Sequence, residues 1–300
     1  MKTPVGVIGV GMVGDPLAKY FEEIKGYKRG SDLFLFDTDP AKKYQDDINK
    51  AEIIFVAVPT PRNPENGMCN LSILEAAVES IPGEKIVVLK STIVPGTTEK
   101  FQKAFPQHKF LFNPEFLTEI MAWEDMMRPF SQIVGFTEKS REEAHMVLSL
   151  LPKATFMSPW GTSTYEKTQI TATEAEFIKY ASNAYFARKI NFANGLAKLA
   201  EKMGANYNNI RKGMAADYRI GDFHLDVTNG GYRGFGGFCL PKDTSGLMKF
   251  AKQAEVPEMH DLLMADWVFN ENLLREQGLS ISDVSEHFTD IDLSKKVKER

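Results

Sequence analysis

The sequence predicts an α/β protein: an N-terminal parallel sheet, then a long central helix, then a small α-helical domain. Three observations carry this. Short unbroken apolar runs alternate with helical stretches through the first half, the pattern of strands buried on both faces. A glycine triplet, Gly9-Val10-Gly11-Met12-Val13-Gly14, follows the first of these runs at once. A proline-free stretch rich in Ala, Lys and Glu then runs from Ala172 to Met203, with Gly204 as its end signal.

Residues 3–10 read as the first strand, and Pro16 to Ile24 as a helix behind it. GxGxxG between a strand and a helix is the dinucleotide turn of a Rossmann-type fold. Gly9 permits the tight turn, Gly11 lets a pyrophosphate approach the backbone, and Gly14 lets helix and strand pack closely. The phosphates would rest on the helix N-terminus. A second strand, Asp32 to Phe36, ends at Asp37. A carboxylate there bonds the ribose 2′-OH and repels a 2′-phosphate, which favours NAD over NADP. Lys42, five positions on, is a cation able to flank a phosphate, and Asp39 reads as a turn residue. Further strands run from Ile53 to Val58, Lys85 to Leu89, Lys109 to Phe112, Gln132 to Phe136 and Thr155 to Ser158. Their ends carry Thr60, Ser91-Thr92 and Asn113-Pro114-Glu115, where ligands of open α/β sheets gather. Taken alone, Thr60 is ordinary loop chemistry. Glu115 and Glu119 would share a face if Phe116 to Ala122 is helical.

A chain of 300 residues has room for two domains. Hydrophobic residues at 43% and charged ones at 25% describe an ordinary globular protein. The net charge of −4 argues against nucleic acid as the main partner. Two cysteines far apart point to a reducing, cytoplasmic compartment. No apolar run approaches the ~18 residues of a membrane span. The apolar N-terminus is too rich in glycine and too poor in basic residues for a signal peptide. The five histidines show no metal-ligand spacing. A polar stretch, Trp160 to Thr168, marks the expected boundary. It gives a nucleotide-binding domain at 1–160, a central helical domain at 161–277 and a charged tail at 278–300.

In the central helix Lys179 and Asn183 lie one above the other at i, i+4. Phe177, Ile178 and Tyr180 flank them, so a half-buried cleft position competes with a solvated one. Arg219 suits an anionic ligand, with a surface ion pair as the plainer reading. The segment Gly234-Phe235-Gly236-Gly237-Phe238-Cys239-Leu240-Pro241-Lys242-Asp243 places a cysteine directly before a helix start. Pro241 suits a first helical turn. The helix dipole and Lys242 both favour a thiolate at Cys239, the nucleophilic form. A lone cysteine is also commonly a small buried hydrophobe, and on this segment alone the two readings stand level.

Together these segments resemble the UDP-glucose/GDP-mannose dehydrogenase family. The match runs through Gly9–Gly14, Lys90-Ser91-Thr92, Asn113-Pro114-Glu115-Phe116-Leu117, Ala175 to Asn194, Asp217–Gly221 and Gly234–Asp243. The resemblance implies oxidation of a nucleotide sugar, UDP-glucose first, at C6 to a uronic acid with two NAD. It implies Cys239 as nucleophile through a thiohemiacetal and a thioester. Lys179 and Asn183 match the pair that stabilises the oxyanion, Glu115 the general acid/base, and Thr92 and Asp243 the holders of a catalytic water. Gly9, Gly11, Met12, Val13, Gly14, Asp37, Lys42, Val58, Thr60, Thr92, Glu119 and Cys239 match the NAD side. Glu115, Phe116, Leu117, Lys179, Asn183, Phe235, Gly236 and Lys242 match the sugar side, and Arg219 an arginine that reaches substrate across a homodimer.

Three departures stand out. Gly195 follows Asn194 where the family has a glutamate. Tyr232-Arg233 replaces Pro-Gly. The family's third, nucleotide-holding domain has no counterpart after Gln277, so weaker substrate binding, or a separate chain supplying that domain, is expected. A hydroxyacid dehydrogenase and a non-catalytic NAD-binding remnant are the competing readings.

Overall fold

A computed structural model describes residues 2–63, 67–159, 169–228 and 230–285. The stretch Trp160 to Thr168, and residues 286–300 of the expected tail, lie outside the described residues. The chain divides into two compact units, Met1–Pro61 with Cys69–Lys179, and Arg62–Met68 with Tyr180–Arg300.

The first unit is built on apolar four-residue strands: β1 (Val5–Ile8), β2 (Leu33–Phe36), β3 (Ile53–Val56), β4 (Ile86–Leu89) and β5 (Lys109–Phe112). Further along lie β6 (Ser131–Ile133), β7 (Gly135–Phe136) and β8 (Phe156–Ser158). The sheet order is β2-β1-β3-β4-β5-β7, a Rossmann sheet whose first five strands are parallel. Alternate residues feed the two faces. Val7, Phe55, Val88 and Leu111 pack with Leu17 and Phe21 behind β1 and with Val147 and Leu148. Ile54, Val56, Val87 and Phe110 pack on the other face with Leu74, Val78, Phe101 and Ala175. Strands buried on both faces have no polar side to show, which is why they read as unbroken apolar runs.

The helices of this unit are α1 (Gly14–Lys19), α2 (Ser72–Glu79), α3 (Thr97–Ala104), α4 (Ala122–Met127) and α5 (Arg141–Leu150). The expected helix from Pro16 to Ile24 is present but changes character. Its second half, Tyr20–Ile24, is a π turn. The expected strand from Gln132 to Phe136 is two short strands. β6 pairs in parallel with β8, whereas β7 closes the main sheet antiparallel to β5. The break falls at Val134, next to the Ile133 carbonyl that accepts the Asn113 side-chain amide at 2.6 Å.

The long helix is α6, Ala172–Lys202, 31 residues. The second unit continues with α7 (Tyr207–Ala215), capped by Asn206, then α8 (Cys239–Gln253) and α9 (Pro257–Arg275), which has proline in its first turn. Ala187, Phe235 and Trp267 form one of its small cores. Among the described residues no helix is long and apolar enough to cross a membrane.

Phe55 has no exposed surface and packs its ring 5.7 Å from that of Phe21. Phe55→Ala should cost about 3–5 kcal/mol, read as a fall in urea midpoint without a change in slope.

Candidate active site

The glycine turn shows a separate use for each glycine. Gly9 has φ +88°, and a Cβ on it would lie 2.8 Å from the Ala57 carbonyl oxygen. A Cβ on Gly14 would lie 2.0 Å from the Gly9 carbonyl oxygen. At Gly11 a Cβ would meet nothing within 4 Å, so the backbone there stands open to a ligand. Met12 and Val13 are half-buried between these glycines.

Asp37 sits at the end of β2, 8% exposed. Its Oδ2 accepts from the Val10 amide at 2.8 Å and from Lys42 Nζ at 2.9 Å, and its Oδ1 from the Asp39 amide at 2.9 Å. Burial pulls its pKa upward most strongly of any single influence. The Asp39 amide, the Lys42 ammonium and the Val10 amide together outweigh it, and the net pKa lies below the usual carboxylate value. The group is therefore an ionised acceptor. Three donors occupy part of the roughly four acceptor positions of a carboxylate, leaving room for a ribose hydroxyl. Lys42 also bonds the Val10 carbonyl at 3.1 Å, so its charge is turned onto Asp37 and the turn. An open glycine backbone, a helix start and an ionised acid at the next strand end fit an adenine dinucleotide with a free 2′-OH. This unit is an NAD-binding domain.

The ends of β3, β4 and β5 carry the remaining polar groups. Thr60 is buried and donates to the Thr92 carbonyl at 2.8 Å, and Ser91 donates to the Val58 carbonyl at 2.6 Å. Lys90, 4% exposed, donates to Asn113 Oδ1 at 2.6 Å and pairs with Glu115 Oε2 at 3.0 Å. Asn113 in turn donates to Gln132 Oε1 at 2.8 Å. Glu115 Oε1 accepts from its neighbours' amides, Phe116 at 2.9 Å and Leu117 at 3.2 Å. These local bonds hold the chain out of helix. α4 begins only at Ala122, so Glu115 and Glu119 share no helix face, which corrects the expectation. Lys179 is 7% exposed and lies 5.3 Å from the centre of the Phe116 ring.

In the second unit Cys239 is itself the first residue of α8, with Phe238 as N-cap, rather than the residue before the helix. It is partly exposed. Pro241 falls in the first turn, where a missing N–H costs nothing. Lys242 and Asp243 form a buried ion pair. Asn183 donates to Asp243 Oδ2 at 2.5 Å. The α6–α8 approach is close, since a Cβ on Gly246 would lie 2.6 Å from the Tyr180 ring. Phe235 is fully buried, and the backbone of Gly236 is crowded by Tyr232 and Val284. Arg219 is exposed and chelates Asp217 two residues back at 2.6 Å. One of the departures, Arg233, meets Asn194 here. Arg233 Nε donates to Asn194 Oδ1 at 3.0 Å and Nη2 to the Asn194 carbonyl at 3.2 Å.

Two residues, both inside segments quoted for the resemblance, are given no role by the sequence reading. Lys90 ends a parallel strand, a place that itself signals function. Glu176 sits three residues before Lys179 on α6 and has no exposed surface. Its carboxylate caps α3, accepting from the Gly96 amide at 2.5 Å, the Thr98 amide at 2.7 Å and Thr98 Oγ1 at 2.5 Å. Burial drives its pKa up to about 7 against the pull of these donors.

Two outcomes are expected. Asp37→Ala should weaken NAD binding by about 10- to 100-fold, the worth of a hydrogen bond to a charged group, as read by fluorescence titration. The folded-state pKa of Glu176 lies above the unfolded value. Its contribution to stability is thus complete below the unfolded pKa of about 4.5 and lost as pH rises through about 7. Glu176→Gln, which cannot titrate, should gain on the wild type by about 3 kcal/mol between those pH values in urea unfolding.

The family model for the NAD-binding domain of the UDP-glucose/GDP-mannose dehydrogenases matches residues 28–150, and that for the central domain matches residues 173–272. UDP-glucose 6-dehydrogenase of Rhizobium meliloti is 32% identical over 252 residues, covering 79% of this chain and 55% of that protein. The TuaD UDP-glucose 6-dehydrogenase of Bacillus subtilis is 35% identical over 221 residues, covering 70% and 44%. A UDP-glucose dehydrogenase structure from Pyrobaculum islandicum superposes with a TM-score of 0.72 at 25% identity, over 92% of this chain and 71% of that one. The chain spans about half the length of the curated relatives it matches. Matched in order by both domain models, the chain belongs to the UDP-glucose/GDP-mannose dehydrogenase family.

Proposed function

We propose that the chain oxidises a nucleotide sugar, UDP-glucose first, at C6 to the uronic acid with two NAD per sugar. The observation that carries this is Cys239 in the first turn of α8, on a chain whose other half is an NAD-binding domain. An alcohol-to-aldehyde dehydrogenase has no use for such a thiol. A four-electron oxidation does, because covalent capture keeps the aldehyde from escaping. The relatives' printed activity, UDP-glucose 6-dehydrogenase, supports the same reaction.

Gly9, Gly11, Met12, Val13, Gly14, Asp37, Lys42, Val58, Thr60, Thr92 and Glu119 hold the cofactor, and Cys239 is the nucleophile. Bound NAD supplies the oxidant for both two-electron steps. Cys239 Sγ adds to the aldehyde carbon, and the carbonyl oxygen takes up the charge. Lys179 and Asn183 stabilise that oxygen, a donor role whose loss costs about 3–4 kcal/mol in a dry site. The second oxidation turns the thiohemiacetal into a thioester. Water, positioned by Thr92 and Asp243, then cleaves the C–S bond and returns thiolate and carboxylate. Glu115 moves the protons, its position fixed by Lys90. Phe116, Leu117, Phe235, Gly236 and Lys242 bind the sugar side.

Residues 1–160 act as the NAD domain and 161–277 as the central domain in this reading. A homodimer belongs to it, with Arg219 reaching the partner's substrate. Tyr185, Phe192 and Leu199 recur every seven residues on α6 and are 63%, 59% and 56% exposed, an apolar stripe suited to a second helix.

NADH counted by absorbance should reach two per UDP-glucose. One NADH would mean a simple dehydrogenase, and none a binding protein. Cys239→Ser should stall after the aldehyde, and Cys239→Ala should bind NAD yet make no acid. Acid formed by the Ala variant at the wild-type rate would exclude the covalent route.

A further inference from the structure

Among the described residues no strand pairs with the loop before Cys239, yet side chains pair both backbone groups of two of its residues. Asn270 of α9, with no exposed surface, accepts from the Phe235 amide at 2.7 Å and donates to the Phe235 carbonyl at 3.0 Å. Gln277, seven residues on and just past the end of α9, accepts from the Arg233 amide at 2.8 Å and donates to the Arg233 carbonyl at 2.8 Å. Each side-chain amide thus takes both backbone groups of one residue, and the residues read are two apart. A primary amide is the one neutral side-chain group that offers a donor and an acceptor side by side.

The surroundings sharpen the register. A Cβ on Gly234 would lie 2.6 Å from Asn270 Oδ1, so the backbone passes Asn270 at a distance that excludes any side chain. A Cβ on Gly236 would lie 2.0 Å from the Tyr232 hydroxyl. The Gly237 amide donates to the Val284 carbonyl at 2.7 Å. Slipping the loop by one residue would place a side chain where only glycine fits and leave buried amide groups unpaired, which is costly.

We infer that Asn270 and Gln277 are positioning residues that set the register of the loop 233–238 and so place Cys239 at the first turn of α8. The inference rests on the reading above in which Cys239 is the nucleophile. Both side-chain amides are spent on backbone groups. They act through the loop, and the glycine turn that holds NAD is in the other unit.

The test uses the full chain with Asn270→Leu, which keeps the volume and removes both bonds, and Asn270→Asp, which keeps the acceptor alone. Hydrogen exchange of the 233–238 amides should quicken about tenfold or more in the Leu variant. The kcat should fall about tenfold or more, while KM and Kd for NAD stay within about twofold. Gln277→Ala should show the same pattern more weakly, and carries the test should both Asn270 variants fail to fold. A folded variant with kcat and loop exchange within about twofold of the wild type would overturn the inference. So would kcat and NAD affinity falling in parallel, the mark of a general loss of structure. If the wild type oxidises no nucleotide sugar, the reaction reading fails by itself. Loop exchange and the rate of Cys239 alkylation by iodoacetamide then decide: an unchanged pair overturns the inference, and a changed pair supports it.

Discussion

A methyl group on residue 14 would lie 2.0 Å from the Gly9 carbonyl oxygen, and the first unit depends on its absence. Without it the helical run beginning at Gly14 packs directly onto the turn after β1. That approach keeps the Val10 amide within 2.8 Å of Asp37, so the ends of β1 and β2 are locked together. The acid at the end of β2 is in this way part of the turn and, in the function proposed, the group that would select a 2′-hydroxyl over a 2′-phosphate. In that reading binding and folding would use the same contact.

The same economy recurs at the other strand ends. Backbone groups at and just past the ends of strands leave the ladder, and side chains complete them. Thr60 holds the Thr92 carbonyl, Ser91 the Val58 carbonyl, and Asn113 the Ile133 carbonyl. Each of these bonds fixes the direction in which the next residue leaves the sheet. Glu176 does this from α6, its carboxylate tying the start of α3 and the Gly96 amide to the turn that carries Lys179.

Much of this was legible in the sequence for a plain reason. Strands such as Ile53–Val56 and Ile86–Leu89 are buried on both faces, so their composition announces them. The glycine turn and the cysteine loop are local, each readable within a dozen residues, and Asp37 follows from its place at the end of the next strand. What escaped reading depends on partners far along the chain. Lys90 and Glu115 are 25 positions apart, and Glu176 bonds Thr98 across 78. The helix expected after Pro114 failed because Glu115 satisfies the two amides that follow it, a competition that propensity does not reveal. Asn270 and Gln277 look like ordinary polar residues of an amphipathic helix until the loop they read is laid beside them.

Stability alone gives no account of these buried polar groups. Taking a lysine and a carboxylate out of water costs several kcal/mol per ion, and well-packed apolar replacements of a buried pair are often neutral or better. Lys90 with Glu115 and Lys242 with Asp243 are both such pairs, and each contains a residue the chemistry would use. Neither partner could be lost singly without stranding a charge. The arrangement makes sense if the charges are kept for the substrate's sake. A carboxylate held by a fixed ammonium, or by an amide such as Asn183, needs no reorganisation when charge develops beside it. The surrounding fold, with its apolar strands and close glycine contacts, then has to be stable enough to carry those groups. Its buried core and its buried charges are two halves of one design constraint, and the charges lie where strands and helices end.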